Sequence, residues 1–155
     1  MADIISYKQV TEEFRSIAQS HMAVKRFQVG ATLDIDIQTD EMPFQRFPMV
    51  HLTPRTLSMD RFGKTVFGFT FIVADIAKDN DQFLRIDTQN NCAMIAQDIF
   101  SKIILTTWAD VDLELETPLR GTFFTEAYNN NLSGVSFEIN VITKSPFDLC
   151  SAAFQ

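Results

Sequence analysis

The sequence contains few of the residues that build reactive, cross-linked or nucleotide-binding sites. Its two cysteines, Cys92 and Cys150, are far apart and form no C-x-x-C motif, so neither a disulfide framework nor a structural zinc site is expected. Its five glycines form neither of the glycine-rich phosphate-binding motifs. His21 and His51 have no partners at the spacing of a metal site or a general base. These shortages argue against an enzyme and predict no cofactor and no metal.

Long apolar runs and basic runs are also missing. No segment approaches the roughly 20 apolar residues of a membrane span, and the N-terminus lacks the layout of a signal peptide, so we expect a cytoplasmic protein without membrane contact. With 13 basic and 20 acidic residues, the net charge is −7. A protein that wraps nucleic acid needs a basic face, and this charge, without a lysine- or arginine-rich run, argues against that role. An acidic surface can still line a passage for DNA, because repulsion prevents sticking.

Phenylalanine is what the sequence has in abundance, with 15 copies against one tryptophan and two tyrosines. Hydrophobic residues make up 46% of the chain and charged residues 21%, which is typical of a globular protein. No repeat or linker interrupts the chain, so residues 1–155 are predicted to form a single domain. The phenylalanine content indicates apolar packing surface both inside the subunit and between subunits.

Hydrophobic periodicity predicts two helices and several strands. Ser6 and Gln9 match a capping box, and the apolar spacing after it predicts a helix over residues 7–22. A second helix is predicted from about residue 84 to 107, because Cys92, Ile95 and Ile99 recur at helical spacing. Apolar and polar residues alternate in four segments, "TLDIDI", "KTVFGFTFIVAD", "VDLELE" and "GVSFEINVIT", and "MVHLT" is a short strand closed by Pro54.

The order of these elements predicts an α+β fold, a mostly antiparallel β-sheet with two helices packed on it. The third strand, "KTVFGFTFIVAD", is apolar on both faces and should therefore be covered on both. The residues expected in the core are Leu33, Ile35, Phe69, Phe71, Ile95, Ile99, Leu113 and Phe137.

Three carboxylates follow the most apolar strand within "FIVADIAKDNDQ", at Asp75, Asp79 and Asp81. A calcium loop beginning at Asp79 would need an acidic or amide residue and then a glycine where Phe83 and Leu84 stand. Asp79 and Asp81 fit better as caps of the following helix. Asp75, at the end of the strand, has no such explanation, so a small metal-dependent or hydrolytic enzyme built on these three residues is kept as an alternative.

Three segments outside the predicted core, "MPFQRFP", "RTLSMDRFG" and "RGTFFTEAYNNNL", combine phenylalanine, methionine and arginine with polar residues. Aromatic residues, methionine and arginine are enriched in protein interfaces. The alternative is that these phenylalanines fold back as anchors of their own loops. The predicted interface residues are Phe44, Phe47, Arg55, Met59, Arg61, Phe62, Arg120, Phe123, Phe124 and Tyr128.

The succession of segments resembles a known family. The helix "SYKQVTEEFRSIAQSH" leads into "FQVG", followed by "RFPMVHLTP", "FGFTFIVADIAKDN", the polar helix "TQNNCAMIAQDIFSKI" and the closing strand "FEINVITKSPFDLC". Nearly the whole chain is similar in this way to the small tail-terminator or tail-completion proteins of long-tailed bacteriophages, in particular those of Bacteroidetes-type hosts.

The resemblance implies a structural virion protein, assembled in the host cytoplasm, that forms a homo-oligomeric ring at the head–tail junction. The ring would stop growth of the tail tube and join the tail to the neck, so its partners would be further copies, the tail tube protein and neck or connector proteins. DNA would pass through the lumen without specific binding. A hexamer is favoured and a dodecamer is the alternative, as in a head-completion or stopper ring. The resemblance supplies no catalytic residues.

Overall fold

The computed structural model of the chain describes residues 6–31, 47–76, 82–108, 113–127 and 132–143. Within these ranges two helices and a curled sheet of six strands confirm the predicted α+β fold. A π-helical turn, Ile103–Thr107, continues the second helix. In chain order the elements are α1 (Tyr7–Ser20), β1 (Arg26–Val29), β2 (Met49–Met59), β3 (Thr65–Ile76), α2 (Gln82–Lys102), β4 (Leu113–Leu115), β5 (Gly121–Ala127) and β6 (Leu132–Thr143).

The sheet is built around the long antiparallel pair β3 and β6. Its strand order is β1-β2-β3-β6-β4, and β5 pairs with another part of β6. Among the described strands only β1 and β2 run parallel, so the sheet is mostly antiparallel as predicted. The short strand β1 was not predicted, because its sequence, "RFQV", is too short to display an alternation.

The start of α1 forms as its sequence predicts. The Ser6 side chain accepts a hydrogen bond from the Gln9 amide at 3.2 Å, and the Gln9 side chain accepts one from the Ser6 amide at 2.8 Å. This reciprocal cap satisfies two amides that the first helical turn leaves without partners. The helix ends at Ser20, two residues earlier than predicted, with His21 in extended conformation as its C-cap.

The main core lies between the two helices and one face of the sheet. Phe14 of α1 meets Phe69 edge-on at 6.0 Å, and Phe100 of α2 lies 4.9 Å from Phe71 between ring centroids. Packed aromatic pairs of this kind contribute beyond the area they bury. The helical stripe of α2 is buried as predicted, through Cys92, Ile95, Ala96, Ile99, Phe100 and Ile103.

A second, smaller cluster covers the other face of the sheet. Ile72 and Ala74 of β3 are fully buried there, although they point away from the helices. The prediction that β3 is covered on both faces is therefore confirmed. The remaining buried members of this cluster are Phe47, Met49 and Leu132.

Most of the predicted core is confirmed: Phe69, Phe71, Ile95, Ile99 and Leu113 are all buried. The prediction for Phe137 was wrong, since this side chain is only half-buried. Its neighbour on β5 is Gly121, which has no side chain to cover the ring. The predicted strand that includes Leu33 and Ile35 lies outside the described residues.

The predicted end of β2 at Pro54 was also wrong, because the strand continues to Met59. Among the described strands, β1 pairs with β2 only over Met49–Leu52. Pro54 therefore lies on a stretch with no described neighbour on that side, where a proline without an N–H is tolerated.

Candidate functional site

The β2–β3 hairpin presents apolar and basic side chains at its tip. Phe62 is 78% exposed and Met59 57% exposed. Arg61 is also exposed, with its guanidinium carbon 6.0 Å from the centre of the Phe62 ring. All three were predicted as interface residues, and the structure brings them together on one projection.

The turn that carries Phe62 is held in one conformation by Asp60. Its carboxylate accepts hydrogen bonds from the backbone amides of Phe62 at 2.9 Å and Lys64 at 3.0 Å. Gly63 has φ of 89°, a left-handed conformation that favours glycine. The tip is thus a defined turn that displays Phe62 to solvent.

A β-bulge decides which face of β2 carries the apolar side chains. Arg55 is the extra residue, since the register on β3 advances by only one residue between Pro54 and Thr56. A shift of one residue moves every following side chain to the opposite face. Leu57 and Met59 therefore point to the helix side of the sheet. Leu57 is 60% exposed and was not predicted as an interface residue, although it alternates with Met59.

The two aromatic residues of β5 have different roles. Phe123 lies opposite Val135, on the helix side of the sheet, and is 58% exposed. Phe124 lies opposite Gly134 and packs against the second cluster, while its carbonyl accepts a hydrogen bond from the Gln89 side chain at 3.0 Å. Phe123 therefore remains a candidate for an interface, whereas Phe124 mainly anchors its own strand.

Phe47 requires a correction, because it is 5% exposed and belongs to the second cluster. Its ring is used inside the subunit, as the loop-anchor alternative predicts. Arg55 and Arg120 are exposed; Arg55 lies 3.8 Å from Glu138, a surface pair of little energetic weight. Phe44 and Tyr128 lie outside the described residues.

An apolar groove on the outer flank of α2 was not predicted at all. It has a volume of about 410 Å³, which is within the range of pockets that hold a compact ligand or several side chains. Leu105 is 75% exposed and Ile104 41% exposed. The only sequence feature that indicates the groove is that Leu105 and Ile104 fall outside the apolar stripe that α2 buries. The groove is lined by Ala93, Gln97, Phe100, Ser101, Ile104, Leu105, Leu119 and Phe137.

The carboxylate cluster is only partly described. Asp75 is half-buried at the end of β3, and its carboxylate accepts a hydrogen bond from the Ile76 amide at 2.7 Å. Asp79 and Asp81 lie outside the described residues. In the part of the chain that the structure describes, no three histidine, cysteine, aspartate or glutamate side chains are grouped as a metal site would need.

Both histidines and Cys92 make contacts within the subunit. His21 closes α1 and donates from Nε2 to the Asp98 carboxylate at 2.9 Å, since its Nδ1 accepts from the Ala23 amide. His51 is fully buried, with Nε2 at 3.0 Å from the Gly30 carbonyl oxygen. Cys92 is buried in the main core, 3.8 Å from the Ser133 carbonyl oxygen.

Cys92 is expected to make the protein less stable in alkaline solution. Burial, with a smaller contribution from Asp75, raises the pKa of its thiol from 9.0 to about 12. The unfolded chain therefore loses this proton at a lower pH than the folded chain does. The contribution of the protonated Cys92 thiol to the free energy of unfolding is fully present below pH 9. It is lost as the pH rises toward 12, by up to about 1.4 kcal/mol per pH unit.

Urea unfolding of the wild type and of Cys92→Ala, between about pH 8 and 11, measures this contribution. Subtracting the two curves removes every contribution that the two proteins share. The wild type should lose more stability than the variant as the pH rises. Parallel curves would contradict the assigned pKa.

Comparison with models of known protein families gives no match, and comparison with curated protein sequences gives none either. None of the helices within the described ranges is long and apolar enough to cross a membrane. The hairpin tip, Phe123 and the α2 groove are exposed apolar features of the described residues.

Proposed function

We propose that the chain is a structural virion subunit that forms a homo-oligomeric ring at the head–tail junction of a bacteriophage, where it ends the tail tube and joins it to the neck. The observation that carries the proposal is the placement of exposed apolar side chains at two separate locations. Leu57, Met59 and Phe62 lie on the β2–β3 hairpin, and Leu105 lines the groove on α2, with Phe123 also exposed on β5. Clustered exposed side chains of this size mark protein contacts.

Two separate apolar surfaces favour a ring over a simple dimer. A single surface that matches itself gives a closed pair of subunits, whereas two different surfaces that match each other assemble head to tail. Such an assembly closes into a ring when the rotation between neighbours allows it. The place of the ring in a virion rests on the resemblance to tail-terminator proteins.

In this proposal one side of the ring meets the tail tube protein and the other meets the neck. DNA passes through the lumen without specific binding, which suits a chain with a net charge of −7 because an acidic wall repels phosphate. A hexamer is the favoured stoichiometry. A twelve-fold head-completion ring is the competing assignment, and the two differ in mass and in the partner that they bind.

The mass of the purified chain tests the ring. One subunit has a mass of 17.7 kDa, so a hexamer would have a mass of about 106 kDa by light scattering or native mass spectrometry. A mass twice as large would favour the head-completion ring. A chain that stays monomeric even at several hundred micromolar would overturn the ring proposal.

Mixing the purified ring with polymerising tail tube protein tests the position in the virion. Tubes should stop growing when the ring is added, and labelled subunits should be found at one tube end by electron microscopy. If the ring forms but tube length is unchanged, the proposed oligomer stands and the tail-terminator role is contradicted.

Phe123 and Phe124 should respond differently to replacement by serine. Phe123→Ser removes an exposed ring and should change the free energy of unfolding by less than about 0.5 kcal/mol, while weakening assembly. Phe124→Ser removes a ring that packs on the second cluster and should cost about 1–3 kcal/mol. Urea unfolding and oligomer mass, measured on both variants, give the comparison. Equal stability losses would contradict the assigned roles of the two rings.

A further inference from the structure

The imidazole of His21 joins three parts of the chain. His21 is the C-cap of α1 and directly follows Ser20. Its Nε2 lies 2.9 Å from the Asp98 carboxylate of α2, and its Nδ1 accepts a hydrogen bond from the Ala23 amide at 3.1 Å. The imidazole therefore contacts the end of α1, the flank of α2 and the turn that leads into β1.

These two contacts fix where the neutral imidazole carries its proton. A backbone amide only donates, so Nδ1 must present its lone pair to Ala23. The proton is therefore on Nε2, which donates it to the Asp98 carboxylate. Both nitrogens of neutral His21 are satisfied in this tautomer.

A second proton on the imidazole has opposite effects on the two contacts. The charged form of histidine donates from both nitrogens. At Nε2 the hydrogen bond to Asp98 becomes charge-assisted and therefore stronger. At Nδ1 the new N–H points at the N–H of Ala23, and two donors cannot form a hydrogen bond. Rotation of the imidazole away from Ala23 would remove Asp98 as its counter-ion, so the conflict falls on the turn.

The surroundings of His21 give solvent protons access to it. Its side chain is 19% exposed and lines a cleft of about 360 Å³ between the ends of α1 and α2. The charged side chains in the lining of this cleft are Asp98 and Lys102, both on α2. Asp98 attracts a charged imidazole, whereas Lys102 repels it. Lys102 also donates to the Ser20 hydroxyl at 3.0 Å, so α1 stays attached to α2 in either charge state of His21.

The contact at Nδ1 holds the turn between α1 and β1. The other hydrogen bond within this turn runs from the Val24 amide to the His21 carbonyl oxygen and is longer, at 3.3 Å. Just beyond the turn, the Lys25 amide donates to the Pro48 carbonyl oxygen at 2.9 Å. Loss of the contact at Nδ1 would therefore leave the turn with its longer bond alone, while the attachment of β1 to β2 is unchanged.

We infer that His21 is a pH-sensitive switch. Protonation of its imidazole opens the turn at Ala23 and Val24 and at the same time tightens the attachment of α1 to α2 at Asp98. The switch goes beyond the proposed oligomer and does not depend on it, since every contact involved lies within one subunit.

NMR spectroscopy of the ¹⁵N-labelled chain tests the switch. The ¹⁵N chemical shifts of the two imidazole nitrogens report the tautomer and the charge of His21 directly. In the neutral form the proton should be on Nε2, and a scalar coupling across the hydrogen bond should connect Nδ1 with the Ala23 amide nitrogen. In the charged form this coupling should disappear. The exchange rate of the Ala23 amide hydrogen, relative to that of an unstructured chain at the same pH, should then rise about tenfold.

His21→Gln is the matched control, because glutamine is polar and does not titrate. Between the same two pH values, the relative exchange rate of the Ala23 amide should stay constant in this variant. The Lys25 amide is an internal reference in the wild type, since it donates to a carbonyl oxygen outside the turn and should keep its relative exchange rate in both charge states.

Three results would overturn the switch. The first is a neutral imidazole with its proton on Nδ1, which could not then accept from Ala23. The second is an Ala23 amide whose coupling and relative exchange rate are the same in both charge states of His21. The third is an equally large change of the Ala23 exchange rate in His21→Gln, which would assign the effect to another titrating group.

Discussion

Replacing Phe14 with alanine is expected to lower the free energy of unfolding by about 3–5 kcal/mol. Phe14 is fully buried and joins α1 to the rest of the core. Its ring lies 6.0 Å from Phe69, 6.0 Å from Phe71 and 5.6 Å from Trp108 between centroids. The substitution removes the apolar contacts and leaves a cavity among rings that cannot close over it, and both effects add to the cost.

Urea unfolding followed by circular dichroism measures this loss, with Phe62→Ala as the matched control. The control deletes the same atoms from a side chain that is 78% exposed, so the monomer's stability should change by less than about 0.5 kcal/mol. A small effect of Phe14→Ala would mean that α1 does not pack on the sheet as described. Because a domain of this size is stable by only about 5–15 kcal/mol, the expected loss is a large part of the total.

Replacing Gly134 with alanine should be the most damaging small change in the sheet. A β-carbon at this position would overlap the carbonyl oxygen of Val73 and lie 3.0 Å from the α-carbon of Ala74. Both obstacles are backbone of β3, the strand paired with β6 along its whole length. The backbone can yield only if the two central strands separate, so we expect a cost at or above the upper end of the about 1–3 kcal/mol usual for overpacking.

Gly68→Ala is the control that distinguishes backbone overlap from side-chain overlap. Its β-carbon would overlap the hydroxyl oxygen of Thr56, which a second substitution, Thr56→Ala, removes. The cost of Gly68→Ala should therefore fall in the double variant with Thr56→Ala. No substitution of a single side chain should relieve Gly134→Ala in the same way. If Gly134→Ala unfolds at the wild-type urea concentration, β3 and β6 are not as close as described.

If the chain forms the proposed ring, assembly and folding depend on separate residues. Phe14 and Gly134 stabilise the subunit, whereas Phe62 and Leu105 lie on its surface and contribute little to its stability alone. Variants at the surface positions should therefore be soluble, folded monomers rather than aggregates. Such monomers would be the natural starting material for measuring the subunit contact without the complication of unfolding.

Local patterns were sufficient to predict the helices, the long strands and most of the core. The capping box depends only on Ser6 and Gln9, which are close in sequence, so its formation does not require the rest of the chain. The stripe of α2 and the two apolar faces of β3 follow from periodicity, because the 3.6-residue and two-residue repeats decide which side chains share a face. These features, and the shortage of reactive residues, were determined by the sequence itself.

The tertiary structure decided which apolar side chains remain exposed. The bulge at Arg55 turned Leu57 and Met59 to the helix side of the sheet. No local sequence pattern predicts such a one-residue shift in the pairing of β2 with β3. Phe123 and Phe124 are adjacent phenylalanines with equivalent sequence signals, yet one is exposed and the other packs on the sheet, because successive side chains of a strand point to opposite faces. The α2 groove is formed by residues far apart in the chain, between Ala93 and Phe137. The fold could therefore be predicted from repeating local patterns, whereas the candidate surfaces depend on strand register and on contacts between distant segments.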